Sequence, residues 1–152
     1  MTTPIKESIL ANVKTTIDGV TTAAGYNQTL TTLRRKRVNY EYNNPANGLS
    51  VITWGGDKKK DGASNLNEKT MLVEIYTFVI APANDDDIDP LLSQVSADIE
   101  KIMLVDEQRN SLALDTRWIS TDPMPGDINE GVSVIFEIDY RTNWGDPYNQ
   151  PS

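Results

Sequence analysis

Residues 69–82 constrain the fold more than any other part of the chain. They form one continuous stretch, KTMLVEIYTFVIAP, in which both sets of alternating positions are largely apolar. A strand with two apolar faces belongs inside a sheet, because each face needs cover from another element. The sequence therefore predicts a long central strand here, covered on both sides.

Two amphipathic helices are predicted on either side of this strand. Residues 4–19 carry an apolar stripe at helical spacing, formed by Ile5, Ile9, Val13 and Ile17. Thr3 is the expected N-cap, with Pro4 at the first helical position. Residues 84–105 carry a second stripe, preceded by Asn84 and three aspartates that suit a helix N-terminus. Pro90 then falls in the first turn, where a missing N–H is tolerated.

The remaining apolar and β-branched segments predict further strands. Their ranges are 29–33, 37–42, 49–54, 112–120 and 131–141. Residues 55–65 are polar and rich in glycine and lysine, so they predict a mobile hairpin loop. Helices and strands in this order predict an α+β two-layer sandwich, with a mainly antiparallel sheet and two helices packed on one face. Residues 1–141 form one domain and residues 142–152 an extended C-terminal tail.

Composition excludes several classes of chemistry. The 152 residues contain no cysteine and no histidine, so disulfides, thiolate or imidazole zinc sites and Ser-His or Cys-His nucleophile systems are excluded. The net charge of −8 disfavours general binding to nucleic acid. No apolar run approaches the roughly 20 residues of a membrane span, and the N-terminus lacks a signal-peptide pattern. The cytoplasm of the producing cell is the expected location.

Three patterns could carry chemistry, and each has a simpler interpretation. Glu74, Glu137 and Asp139 could act as paired carboxylates, although strands of this composition also place acids outward or at an interface. The acidic run 85–89 could bind a hard cation, but it lacks EF-hand spacing and suits a helix start. The glycines of residues 55–62 lack the Gly-Lys-Ser/Thr of a phosphate loop. We therefore expect no catalytic residue, no metal and no cofactor.

Three groups of residues are candidates for subunit or partner contacts. They are the basic cluster Arg34, Arg35, Lys36 and Arg37; the loop lysines Lys58, Lys59 and Lys60; and the tail residues Trp144, Asp146, Pro147 and Tyr148. The basic cluster could be solvated, pair with an acidic neighbouring subunit, or touch phosphate. The tail aromatics could anchor a partner or fold back over their own domain.

Three segments resemble the tail terminator (tail completion) proteins of long-tailed bacteriophages. They are the N-terminal helix IKESILANVKTTI, the acid-capped helix DPLLSQVSADIEKIMLVDE and the closing strand VIFEIDYRTNWGDPY. The closest likeness lies in Tyr140-Arg141-Thr142, in Gly145-Asp146-Pro147, and in the helix end at residues 98–102. The resemblance covers nearly the whole chain as a pattern of elements.

This resemblance implies an α+β subunit of a hexameric ring in the virion, assembled in the host cytoplasm. Such a ring caps the tail tube, stops its growth and contacts the tube protein and the head-completion or neck proteins. Genome DNA passes through without specific binding, and no membrane or active site is involved. The alternatives are another neck or head–tail joining protein, a carboxylate- or divalent-metal-dependent enzyme, and a monomeric adaptor module.

Overall fold

The computed structural model describes residues 2–34, 48–60, 66–80, 88–124 and 129–151. Its elements are, in chain order, α1 (Ile5–Asp18), a 3₁₀ turn (Thr22–Ala24), β1 (Leu30–Arg34), β2 (Gly48–Lys59), β3 (Leu66–Ile80), α2 (Ile88–Met103), β4 (Asp115–Met124) and β5 (Asn129–Asn143). The five strands form one sheet in the order β1-β2-β3-β5-β4. Only the β1–β2 pair among them is parallel. The predicted α+β sandwich and the central position of β3 are confirmed.

The hydrophobic core lies between the two helices and one side of the sheet, the helix face. On this face Val73 of β3 pairs with Phe136 of β5, and Ile75 pairs with Val134. All four side chains are fully buried, and each such burial contributes about 1.5–3 kcal/mol to folding. The helices cover them with buried side chains from their predicted stripes, namely Ile9, Val13 and Ile17 of α1 and Leu92, Val95 and Ile99 of α2.

The opposite side of the sheet, the open face, differs from the expectation that β3 is covered on both sides. Its β3 residues Leu72, Glu74, Tyr76 and Phe78 are only partly buried. Both described helices pack on the helix face, since their buried side chains cluster with residues of that face. Buried Val51 of β2, which pairs with Tyr76 on the open face, lies outside this cluster. In the described ranges, the helical layer therefore covers β3 on one side.

Strand β2 is longer than predicted, and the residues expected to open a hairpin loop belong to it. The register shifts between Trp54 and Asp57, so Gly55 and Gly56 form a bulge rather than a turn. Gly56 has φ of +106°, which glycine adopts without strain. Beyond the bulge, Lys58 and Lys59 resume pairing with β3. The predicted loop is therefore wrong for residues 55–59, and residues 61–65 lie outside the described part.

Strand β4 begins and ends later than predicted. It spans Asp115–Met124 instead of 112–120, so it includes Pro123, which lies beyond the end of the predicted strand. The sheet order leaves β4 at a margin, where a proline can face away from the hydrogen-bonded neighbour without losing a ladder bond. The predicted strand 29–33 is confirmed as β1, while the predicted strand 37–42 and the acidic cap of α2 lie outside the described residues.

The N-terminus of α1 is capped differently from the prediction. Pro4, not Thr3, is the N-cap, and no side chain caps the helix. The backbone N–H of Ile5 instead donates to the carbonyl of Pro147 at 3.0 Å. A carbonyl from the C-terminal segment thus satisfies one of the N–H groups that a helix start leaves unpaired, so the two ends of the chain are joined.

Arg109 stabilises the C-terminal end of α2 through hydrogen bonds, and the sequence analysis did not identify it as a structural residue. Its fully buried side chain donates from Nη2 to the carbonyls of Met103 and Asp106, and from Nη1 to Thr16 Oγ1 of α1 at 3.4 Å. Burial lowers the pKa of Arg109, and the nearby carboxylates of Asp106 and Glu107 oppose that shift. The guanidinium thereby satisfies the Met103 carbonyl, which the helix end leaves unpaired, and joins it to the turn at Asp106.

Replacing Arg109 by alanine should lower the free energy of unfolding by about 3 kcal/mol. The change removes charged hydrogen bonds to buried carbonyls and leaves a cavity between α1 and α2. Urea unfolding followed by circular dichroism measures the loss. The neighbouring exposed side chain of Gln108 is the control, since Gln108→Ala should change stability by less than about 0.5 kcal/mol. Equal effects of the two substitutions would contradict this role of Arg109.

Candidate functional site

A network of charged side chains lies on the open face of the sheet. Asp139 of β5 lies at its centre, with a side chain only 3% exposed. It accepts hydrogen bonds from Lys60 Nζ at 2.8 Å and Thr70 Oγ1 at 2.7 Å. Both terminal nitrogens of Arg117 also donate to it, Nη2 at 3.1 Å from Oδ1. These four donors fill the roughly four acceptor positions of a carboxylate.

Arg117 extends the network across β4 and β5. Its Nη2 also lies 3.1 Å from Glu137 Oε2, and its Nη1 lies 3.4 Å from Asp115 Oδ2. The antiparallel register sets this geometry, because it pairs Arg117 with Glu137 and Asp115 with Asp139. The sequence analysis did not single out Arg117. An arginine between acidic partners on a neighbouring strand can be recognised only once the register is known.

The network keeps its charges in place over a wide pH range. Burial alone would raise the pKa of Asp139, but hydrogen bonds from Arg117, Lys60 and Thr70 outweigh it and hold the pKa well below its usual range. Hydrogen bonds to Asp139 and Glu137 raise the pKa of Arg117 above its ordinary value. Asp139 is therefore ionised and fully hydrogen-bonded at neutral pH, whereas acid–base catalysis near neutral pH needs a pKa closer to 7.

The three carboxylates considered for catalysis do not form one site. Glu137 and Asp139 share Arg117, while Glu74 accepts a hydrogen bond from its strand neighbour Tyr76 Oη. No group of three or more potential metal-binding side chains occurs among the described residues. In the described part of the chain, the arrangement is that of cross-strand ion pairs.

The basic residues predicted as contact sites lie in different places and have different partners. Arg34 forms an ion pair with Glu7 of α1, at 2.8 Å between Nη1 and Oε1, while residues 35–37 lie outside the described ranges. Lys60 is bound to Asp139, and Lys58 is exposed at the end of β2. The structure thus distributes these cations over different surfaces.

Lys59 and Trp144, predicted as contacts in separate segments, come together at one end of the sheet. The ammonium of Lys59 lies 5.3 Å from the centre of the Trp144 ring, within cation–π range. A second pair lies on α1 and β2, where Lys6 Nζ is 4.3 Å from the centre of the Trp54 ring. Asp57 accepts a hydrogen bond from the Trp54 indole at 3.2 Å. Lys6, Trp54 and Asp57 were not predicted as site residues.

The C-terminal segment folds back on its own domain while exposing its aromatic side chains. After β5, Asn143 pairs with Asp146 in a turn that contains Gly145 at φ +73°. The carboxylate of Asp146 accepts from the N–H of Tyr148 at 3.1 Å and from the amide of Asn149 at 2.7 Å. The backbone of this segment thus docks on its own domain, as one interpretation expects. Its aromatic side chains stay exposed, as the other interpretation expects.

All three tryptophans of the chain are substantially exposed. Trp54 is 41%, Trp118 43% and Trp144 63% accessible, although tryptophan is highly buried on average in folded proteins. The described core is filled instead by aliphatic side chains with Phe136 and Tyr140. Exposed indoles on an ordered scaffold are typical of binding surfaces, where tryptophan is enriched.

No family model matches the sequence, and the search of curated proteins found no match. Neither helix in the described residues is long and apolar enough to cross a bilayer.

Substituting Asp139 by asparagine should destabilise the fold at neutral pH by about 1.5–3 kcal/mol, the range for hydrogen bonds to charged groups. Because the folded-state pKa is depressed, the stabilisation is fully present above the unfolded value of about 3.9. It is lost as pH falls below that value. Urea unfolding at pH 7, 5, 3 and 2 should therefore show a constant deficit from pH 7 to 5 that shrinks at pH 3 and 2.

The matched control is Asp18→Asn, which removes an exposed carboxylate paired with Lys14 at 2.9 Å on α1. Exposed helix pairs of this kind contribute about 0.3–0.5 kcal/mol, so its deficit should be small at every pH. A deficit for Asp139→Asn that persists undiminished at pH 2 would contradict the assigned ion-pair network.

Proposed function

We propose that the protein is a structural subunit of a ring, hexameric in its assembled form, at the head-proximal end of a phage tail. The ring ends growth of the tail tube and joins the tail to the head, leaving a channel for DNA. The proposal rests on the sequence resemblance to tail terminator proteins. The observation in the structure that supports it is the exposure of all three tryptophans on an ordered scaffold.

The exposed indoles favour a protein-binding role because the fold does not need them for its own core. Removing apolar surface from water yields about 25 cal/mol per Å², and large aromatic side chains dominate the energetics of many protein interfaces. The three tryptophans lie on β2, β4 and the C-terminal segment, so they offer more than one surface. A ring subunit needs several surfaces: two for its neighbours and two for the layers above and below.

The charged network gives no support to the enzyme alternative. Its central carboxylate, Asp139, accepts hydrogen bonds at both oxygens, and Glu137 is engaged by Arg117. A subunit contact requires a different property, namely exposed side chains on the sheet that are held in a fixed arrangement. Cross-strand ion pairs supply this by fixing neighbouring side chains relative to one another.

The charge of the chain is compatible with a channel for DNA. A net charge of −8 gives a surface that repels phosphate on average, and DNA that must move through a ring benefits from weak contact with its wall. The proposal therefore includes no specific DNA site. It names the tube protein and a head-completion or neck protein as the lasting partners.

Deleting the gene from the phage that encodes this protein tests the proposal. Electron microscopy should show separate heads and tails, with tail tubes that extend beyond their normal length because growth is no longer stopped. Supplying the protein from a plasmid should restore joined particles of normal length.

Two other outcomes decide between the alternatives. Tails of normal length that fail to join heads would contradict the terminator role and favour a head–tail joining protein. Infectious particles of normal length and number in the absence of the protein would contradict a structural role altogether.

A further inference from the structure

The two ends of the sheet carry opposite charge. At one end, the basic end, β2 and β5 finish and β3 begins, and the residues there include Lys6, Lys58, Lys59, Lys69 and Arg141. At the other, the acidic end, β4 finishes while α2 and β5 begin, and the residues there include Asp89, Asp122 and Glu130. The described residues of the acidic end include no lysine or arginine.

Among the described residues, the ion pairs at the basic end leave Lys58, Lys59 and Lys69 without an acidic partner. Asp115, Glu137 and Asp139 pair with Arg117, and Asp139 also pairs with Lys60. Asp57 lies 3.7 Å from Lys6, and Glu68 lies 3.5 Å from Arg141; both carboxylates are mostly buried, with side chains 17% and 13% exposed. The Asp146 carboxylate is taken up by bonds within its own turn. The ammonium groups thus present a positive surface on a chain whose net charge is −8.

Trp144 stands at the basic end as a preformed anchor. Its side chain is the most exposed of the three indoles, yet its backbone is fixed by a turn. In that turn Asn143 N–H donates to Asn149 O, and Asp146 N–H donates to Asn143 O, each at 3.0 Å. A fixed aromatic group binds with little further loss of conformational entropy, and Lys59 lies beside the ring.

The acidic end has a groove that fits such an anchor. Its volume is about 340 Å³, and it lies between α2 and the adjoining ends of β4 and β5. Leu92, Pro123 and Val132 line its apolar part, and Asp89, Ser93, Ser96 and Thr121 line its polar part. This volume lies within the about 300–1,000 Å³ of ordinary ligand pockets, so it suffices for one indole ring.

The anchor and the groove cannot meet within one chain. Val132 and Asn143, which immediately precedes Trp144, both belong to β5. At about 3.3 Å per residue the strand holds the two features roughly 40 Å apart. The complementary surface must therefore come from another molecule, and a second copy of this chain carries both surfaces.

We infer that Trp144 of one subunit inserts into the groove between α2, β4 and β5 of the next copy, with Lys59 facing Asp89 across the contact. Such a contact uses different surfaces on the two copies, so repetition of it closes a ring when the rotation allows. The inference rests on the proposed ring and names a contact that builds it.

Trp144→Ala, which removes the anchor, and Asp89→Lys, which reverses the charge at the groove, test the contact by sedimentation velocity over a range of protein concentrations. Each variant alone should weaken self-association, by about 30-fold for Trp144→Ala, which corresponds to a hot-spot residue. The controls are Val105→Ala, an exposed apolar truncation in the turn after α2, and Lys14→Glu, a charge reversal on α1. Both should assemble as the wild type does.

The decisive experiment mixes the two variants, each of which is expected to be defective in self-association. The Trp144→Ala subunit keeps an intact groove, and the Asp89→Lys subunit keeps an intact indole, so one contact can form between them. At a protein concentration at which each variant alone is monomeric, the mixture should give a one-to-one dimer that grows no further. Circular dichroism melts of both variants establish that they are folded.

Three outcomes overturn the inference. Wild-type assembly by either variant alone would show that another contact builds the oligomer, and the proposed ring would stand. A monomeric mixture, with the wild type assembling, would show that the anchor and the groove do not meet. A wild-type chain that stays monomeric at every concentration would also contradict the contact, whereas the proposed function itself is tested separately by deletion of the gene.

Discussion

The fifteen-residue ladder between β3 and β5 is the constraint on which the rest of the structure depends. Side chains alternate between faces along both strands, so one register decides which residues enter the core. In the observed register Val73 and Phe136 lie under the helices, while Asp139 joins Arg117 on the open face. A slip of one residue would move Asp139 towards the core, where an unpaired charge costs several kcal/mol. Hydrophobic burial and the ion-pair network therefore favour the same register.

Hydrophobic periodicity made the two helices and the helix face of the sheet predictable. The stripes of both helices and the alternation in β5 identify the side chains that meet in the core, because burial on one side leaves a regular pattern in the sequence. The same reasoning failed where pairing with a neighbouring strand, rather than local composition, decides the secondary structure. Lys58 and Lys59 follow two glycines and look like a loop, yet β3 offers them partners. Pro123 looks like a strand end, and only the marginal position of β4 makes it acceptable within the strand.

The candidate site was less predictable because its parts are distant in the chain. Arg117 and Asp139 meet through the β4–β5 register, and Arg109 acts on α2 from a turn with no sequence signature. Trp144 was expected as an anchor, whereas its place beside Lys59 depends on how β5 ends. The length of the β3–β5 ladder also separates the basic and acidic ends. A rigid sheet with one covered side, exposed indoles and opposite charge at its ends is well suited to repeated contacts with copies of itself.

The central claim is that this chain is a component of the virion neck in a small, fixed number of copies. Quantitative mass spectrometry of purified virions, with isotope-labelled peptides of this chain and of the tube protein as standards, measures that number directly. The account predicts six copies per particle, with antibody-gold labelling confined to the junction of head and tail. Absence of the chain from purified particles, or labelling spread along the tail, would contradict it.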